Sequence, residues 1–133
     1  MSDLVGILKS EHQNIVKILT KVSDLGVDSK EGRQALLAAK TGLIAHLNRE
    51  DEHLFPVLLK EAESDPILED ALDFFHEDIA GVTNAAIAFF DKYETDGENS
   101  TFQSDFSEVV RVLSQRIQKE ESVLYRMYDK LVL

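Results

Sequence analysis

The chain has 133 residues, a formal charge of −11 and no cysteine, so disulfides, thiolate metal ligands and cysteine nucleophiles are excluded together. Its 44% hydrophobic and 29% charged residues fit one folded domain over residues 1–133, large enough to bury a core. The acidic balance argues against nucleic acid or anionic membrane as a partner, and no apolar run or leader-like segment points to a membrane or secretion; the cytoplasm is the expected location.

Six Gly and two Pro are too few for the frequent turns of an all-β fold, and helical spacing dominates instead. The first helix is expected over residues 3–24, with Ser2 as N-cap and Gly26 as the stop. Val5, Leu8, His12, Ile15, Leu19 and Val22 follow one another at steps of three and four, the pattern of a bundle seam with one histidine on it.

A second helix starts after Ser29 and runs to about residue 63, with Pro56 inside it removing one backbone hydrogen bond and kinking it. Leu36, Ala39 and Leu43 lead its stripe, and the same spacing carries the stripe on through His46, Glu50, His53 and Val57. Three ionisable side chains thus fall on the face that should enter a core. Buried charges are normally paired or bound to metal.

Asp65 and Pro66 mark the start of a third helix to about residue 94, with Leu72, His76, Ile79, Thr83, Ala86 and Phe90 as its expected seam. Residues 95–100 (TDGENS) read as a loop. The fourth helix fills about 101–131, with Phe102, Phe106, Val109, Leu113, Arg116, Glu120, Val123 and Met127 facing inward.

Four helices with short connections predict an all-α, antiparallel up-down-up-down four-helix bundle. His12, His46, His76 and Arg116 each lie within about a turn of mid-helix, so one polar layer should cross the bundle. A weak internal repeat fits this. The segment around His12 resembles the one around His76, and His46-xxx-Glu50-xxx-Leu54-Phe55 resembles Arg116-xxx-Glu120-xxx-Leu124-Tyr125. Residues four apart share a helix face, so His46 and Glu50 can reach one centre. Imidazole with carboxylate suits iron, zinc or manganese.

His12, His46-xxx-Glu50 running into Leu54-Phe55-Pro56, His76, and Glu120-Glu121 running into Leu124-Tyr125 together resemble the hemerythrin-like, HHE cation-binding domain over essentially the whole chain. That resemblance implies a non-heme di-iron centre that binds oxygen, nitric oxide or peroxide, or that senses iron or oxygen. It implies His12 and His46 on one metal, His76 on the other, and Glu50 and Glu120 as bridges.

Two positions depart from the family's pattern. Arg116 stands where the fourth helix usually offers a histidine, and Ala80 where oxygen carriers have a second histidine in the third. A guanidinium does not deprotonate to become a ligand. The expected site is therefore incomplete or mononuclear, holding one or two ions, with Arg116 as the cation that replaces one metal. His53, one turn beyond Glu50, is a further candidate ligand.

A catalytic use with peroxide or nitric oxide at iron would draw on the same residues. The alternative is a metal-free bundle serving as a protein-interaction or regulatory module, in which Arg116 neutralises part of Glu50 and Glu120. A weak homodimer is also expected. The run Ala85-Ala86-Ile87-Ala88-Phe89-Phe90 is apolar all round its helix, and the C-terminal end from Met127 to Leu133 is similarly apolar.

Overall fold

A computed structural model describes residues 1–94 and 101–133; the loop expected at 95–100 lies outside the described residues. Helix α1 spans Asp3–Leu25, α2 Lys30–Arg49, α3 Phe55–Ala62, α4 Pro66–Tyr93, α5 Phe102–Lys119 and α6 Tyr125–Val132. The pairs α2/α3 and α5/α6 are each continuous rods joined by a single wide turn, at Glu50–Leu54 and Glu120–Leu124. The chain therefore forms four rods, and no strand occurs among the described residues.

Local chemistry sets the rod ends. The Ser2 hydroxyl accepts from the Val5 N–H, Ser29 from Gly32, and the Asp65 carboxylate from both Ile67 and Leu68, each satisfying N–H groups that a helix start leaves unpaired. Gly26 ends α1 at φ 71°, where its N–H reaches the Val22 carbonyl; a left-handed residue of this kind is the usual helix stop. Gly32 is required for a different reason. A Cβ there would collide with the Gly26 carbonyl, so the return into α2 is as tight as it is only because no side chain intervenes.

Contacts between neighbouring rods run in opposite senses. Glu11 meets Arg49, while Ile15, further along α1, meets Gly42, earlier in α2. Asp78 meets Arg116, whereas Tyr93 meets Asp105. Ser2 is tied to Asp129 at the far end of the last rod, and His12 to Glu121. The rods are antiparallel, as their short connections require.

The core has two apolar clusters. One holds Ile15, Leu19, Leu36, Ala39, Phe89, Phe90, Tyr93, Phe102 and Phe106 among others. The second gathers Leu8, Leu54, Phe55, Leu58, Leu72, Phe75, Leu124 and Tyr125. Buried His12, His46, Glu50, Arg116 and Glu120 form a polar layer along the same seams. Phe89 and Phe90 are buried in the chain's own aromatic cluster, so the part of the dimer expectation that rested on them lapses; Leu131, Val132 and Leu133 are exposed.

Both wide turns are π-helical. The Phe55 N–H bonds the Glu50 carbonyl and the Tyr125 N–H bonds the Glu120 carbonyl, each five residues back. Such a turn holds one residue more than the α-helical turn it replaces. The inward face after Glu50 therefore passes to Leu54, Leu58 and Ala62, and His53 and Val57 turn out toward solvent. After Glu120 it passes to Leu124 and Tyr125, and Val123 is exposed. Simple α-helical spacing expects His53, Val57, Val123 and Met127 inside; of these only Met127, half-buried, packs against the core.

Helix α4 differs from expectation by one residue. Leu68, Leu72, Phe75, Ala86, Phe89, Phe90 and Tyr93 are buried, Ile79 and Thr83 are half-buried, and His76 is exposed. Phe75 and His76 compete for the same inward position, and burying the aromatic ring is favourable by about 1.5–3 kcal/mol, whereas an imidazole needs a partner to come inside. No helix of the described residues is long and apolar enough to cross a membrane.

Candidate metal centre

Each rod presents its polar residues for a simple reason. His12 occupies one seam position of α1, His46 and Glu50 lie one turn apart on the second rod, and Arg116 and Glu120 lie one turn apart on the last. Since rods α1, α2/α3 and α5/α6 share the seam, three helices aim their side chains at one volume. The Nε2 atoms of His12 and His46 lie 3.6 and 3.7 Å from Glu120 Oε2, and His46 Nε2 lies 3.6 Å from Glu50 Oε1. Ligand atoms of His12, His46 and Glu120 are all within 4.8 Å of one another.

The outer nitrogens are held as firmly as the inner ones. His12 Nδ1 is 2.8 Å from Glu121 Oε2, and His46 Nδ1 is 3.0 Å from Glu11 Oε1. Glu11 in turn accepts from Arg49 Nε at 3.0 Å. A carboxylate on the outer nitrogen keeps the proton there and leaves the inner nitrogen's lone pair facing the centre, the arrangement that orients and strengthens an imidazole as a metal ligand.

Arg116 is buried rather than extended to solvent. Its Nε donates to Glu120 Oε1 at 2.9 Å, its Nη1 to Asp78 Oδ2 at 3.4 Å, and its guanidinium lies over the Phe75 ring at 5.3 Å. It therefore fills the space beside Glu120 on the α4 side. Lys119 supports Asp78 at 3.8 Å and covers Phe74.

The two buried carboxyls divide one proton. Burial raises Glu50 first of all, the adjoining Glu120 adds to this, and its carboxyl is pushed up to about 10. Burial also works to raise Glu120, but in the ion-free cluster the proton on Glu50, the adjoining His12 and His46 imidazoles and the charge of Arg116 outweigh it and hold Glu120 well below the usual range. Burial works to lower His12, yet Glu120 and Glu121 overcome it and raise this imidazole. Two close carboxylates in a dry site cannot both stay ionised without a cation.

The donor count shows what is missing. Glu50 Oε1 is buried without a hydrogen-bond partner, and once the Nδ1 protons point outward and the shared carboxyl proton has left, the inward atoms of Glu50, Glu120 and the two imidazoles are all acceptors. A metal cation supplies such a set of lone pairs with the charge it lacks, and nitrogen with carboxylate oxygen is a donor set for iron, zinc or manganese. The residues present therefore fit a metal ion.

Of the expected site residues, the fold brings together His12, His46, Glu50, Glu120 and Arg116. It leaves out His53, which is 58% exposed beside Glu52, and His76, which packs outside against the edge of Phe55 with ring centres 5.0 Å apart. The first is displaced by the π-turn and the second by Phe75.

Spacing alone missed Tyr125, Glu121, Glu11 and Asp78. Tyr125 enters through the π-turn that follows Glu120. The sequence signal for it was the aromatic that follows Glu-xxx-Leu in both halves. Glu11 and Glu121 flank a seam residue, and only the neighbouring helix makes them partners of an imidazole.

No curated protein and no solved structure matches the chain. The family model described as the hemerythrin HHE cation binding domain matches residues 3–128, nearly the whole length, and the chain belongs to that family.

Proposed function

We propose that this protein binds one metal ion per chain at His12, His46, Glu50 and Glu120, and uses it to bind or sense a small molecule. Iron is the ion in view, with zinc and manganese as substitutes, and oxygen, nitric oxide or peroxide as the small ligand. The observation that carries the reading is the pair of imidazoles fixed by outer carboxylates, Glu121 at 2.8 Å and Glu11 at 3.0 Å, with both inner nitrogens turned onto Glu120. Supporting it is the unsatisfied oxygen of Glu50.

Arg116 supplies the positive charge that a second ion would have given, and a small cavity lies next to it. His46, Ile79, Val82, Thr83 and Arg116 are among its walls, and about 20 Å³ is open to the centre of a water-sized guest. That is space for a very small ligand. The bound ion would act as the Lewis acid, and the apolar walls would keep bulk water from it.

The test is the metal content of protein purified without a metal-affinity tag and then offered iron. About one ion per chain is the expected result. Two ions, or none under any loading condition, would overturn the reading.

One observation favours a second reading, a metal-free regulatory or interaction module. The bond from Arg116 to Glu120 and those reaching Tyr125 already close part of the cluster without an ion. A protein that stays folded and binds a protein partner with no metal present would support that alternative.

A further inference from the structure

Tyr125 is buried at 1% exposure, and its hydroxyl stands at the middle of the proposed ligand set. It lies 2.8 Å from Glu120 Oε2, 3.1 Å from Glu50 Oε2, 3.2 Å from His12 Nε2 and 3.5 Å from His46 Nε2. A phenol has one proton to donate, and the bond to Glu120 is the shortest of the four. The remaining contacts bring the same oxygen within 3.5 Å of a carboxyl and two imidazoles, the donor groups of a coordination sphere.

The distances say why. Nitrogen and oxygen ligands sit about 2.0–2.2 Å from an ion of this kind, so two ligands of one ion are separated by about 3–3.5 Å in octahedral or tetrahedral order. The four separations from Tyr125 Oη fall in or next to that range. An ion accepted by His12 Nε2, His46 Nε2 and Glu120 Oε2 cannot avoid this oxygen unless the ring moves. The ring is wedged in the core, stacked on His12 with centres 5.6 Å apart.

The first half of the chain shows that packing does not require the hydroxyl. Phe55 is the counterpart of Tyr125, at the same place after the other π-turn and equally buried. It lies at 5.0 Å from His76, outside the cluster. An aromatic ring suffices there, and oxygen is added only on the side where the imidazoles converge.

We infer that Tyr125 is a ligand of the ion, completing a centre of two imidazoles, two carboxyl groups and one phenolate oxygen. The inference rests on the single-ion reading above. Coordination breaks the phenol O–H bond and forms a metal–oxygen bond; no electrons are transferred, and the proton leaves to solvent. A cation at the centre stabilises the phenolate form. A hard anionic oxygen favours a hard ion, so the class of metal selected is ferric iron ahead of zinc.

The experiment compares the unmodified protein with Tyr125→Phe, each loaded with one equivalent of ferric ion. Since Phe55 occupies the equivalent position, the variant keeps its ring packing. The unmodified protein should show a visible phenolate-to-iron(III) absorption band, with phenolate ring vibrations in resonance Raman excited within it. At equal iron content Tyr125→Phe should lose both, and its ferric affinity should fall on the order of tenfold to a hundredfold.

Phenolate vibrations that persist in Tyr125→Phe would assign them to another tyrosine and overturn the inference. Iron uptake by the unmodified protein without such vibrations would overturn it while leaving the single-ion reading intact. If neither protein takes up iron under any condition, the single-ion reading fails and this assignment fails with it.

Discussion

The two halves of this chain carry the same backbone device and different chemistry. Each rod that bears a buried carboxylate widens into a π-turn at that residue, Glu50 in the first half and Glu120 in the second. Each turn is followed by a buried leucine and a buried aromatic, Leu54-Phe55 and Leu124-Tyr125. Around this shared frame the first half turns two imidazoles inward, whereas the second turns in a guanidinium and a phenol and leaves His76 outside. The frame can thus be kept while the donor set on one side is changed. A guanidinium already paired with Glu120 and Asp78 gives the second half a fixed charge that requires no ion.

Removing that fixed charge should have the largest effect. In the metal-free protein, Arg116→Ala leaves Glu120 buried without its cation and Asp78 without its nearer partner. The loss is expected to be on the order of 3 kcal/mol, the size seen when one member of a buried ion pair is deleted. Urea denaturation of the metal-free variant measures it through the midpoint, with an unchanged slope. A loss under about 1 kcal/mol, the range of an exposed pair, would show that Arg116 is not the cation on which this half depends.

The comparison of histidines comes next. His46→Ala removes an inward nitrogen, while His76→Ala and His53→Ala remove side chains that lie outside the cluster. Metal affinity should fall about a hundredfold in the first, about 2.8 kcal/mol at 1.4 kcal/mol per tenfold, and change by less than about twofold in the other two, in keeping with surface substitutions. Competition titration with a chelator of known affinity reads all three. Equal losses at His46 and His76 would mean that the ion draws on both halves and that α4 turns to bring its histidine in.

How much of this was legible in the sequence follows from what periodicity can carry. The seam of α1 is buried residue for residue, and the caps at Ser2, Ser29 and Asp65 form the bonds their residue types announce. His12, His46, Glu50, Arg116 and Glu120 were legible for the same reason, since they precede any interruption of the helical repeat. Beyond Glu50 and Glu120 the repeat is interrupted. A spacing rule that assumes 3.6 residues per turn puts His53 and Val123 inside, and the structure puts Leu54 and Leu124 there.

The misplacement of His76 has another source. A histidine was preferred for its chemistry at a point where Phe75, one residue earlier, had the stronger claim on the core by size and apolarity. Tyr125 and the outer carboxylates could not be read from one helix at a time. Their partners come from α1 and α2, which only tertiary packing brings within reach.

The smallest effect expected tests what makes the π-turns. Pro56 lacks an N–H, which predicts a kink in the second rod, and it follows Phe55, whose N–H closes the first π-turn. The equivalent position after the second turn is Arg126, which has an ordinary N–H, yet the same turn forms with the same bond from the aromatic's N–H to the glutamate carbonyl. What the two turns share is the sequence Glu-xxx-Leu followed by an aromatic. Burying both of the last two side chains together with the glutamate requires one residue more than an α-helical turn allows.

Proline is then an accessory that restricts the unfolded chain and spares a hydrogen bond already lost, worth about 0.4–1 kcal/mol. Pro56→Ala should therefore lower stability by less than about 1 kcal/mol and leave metal affinity within about twofold of the unmodified protein, as a substitution away from the ligands does. Thermal unfolding and the same chelator competition check both. If Pro56→Ala instead weakens metal binding as strongly as His46→Ala, the proline itself holds Glu50 in place, and the two halves build their turns by different means.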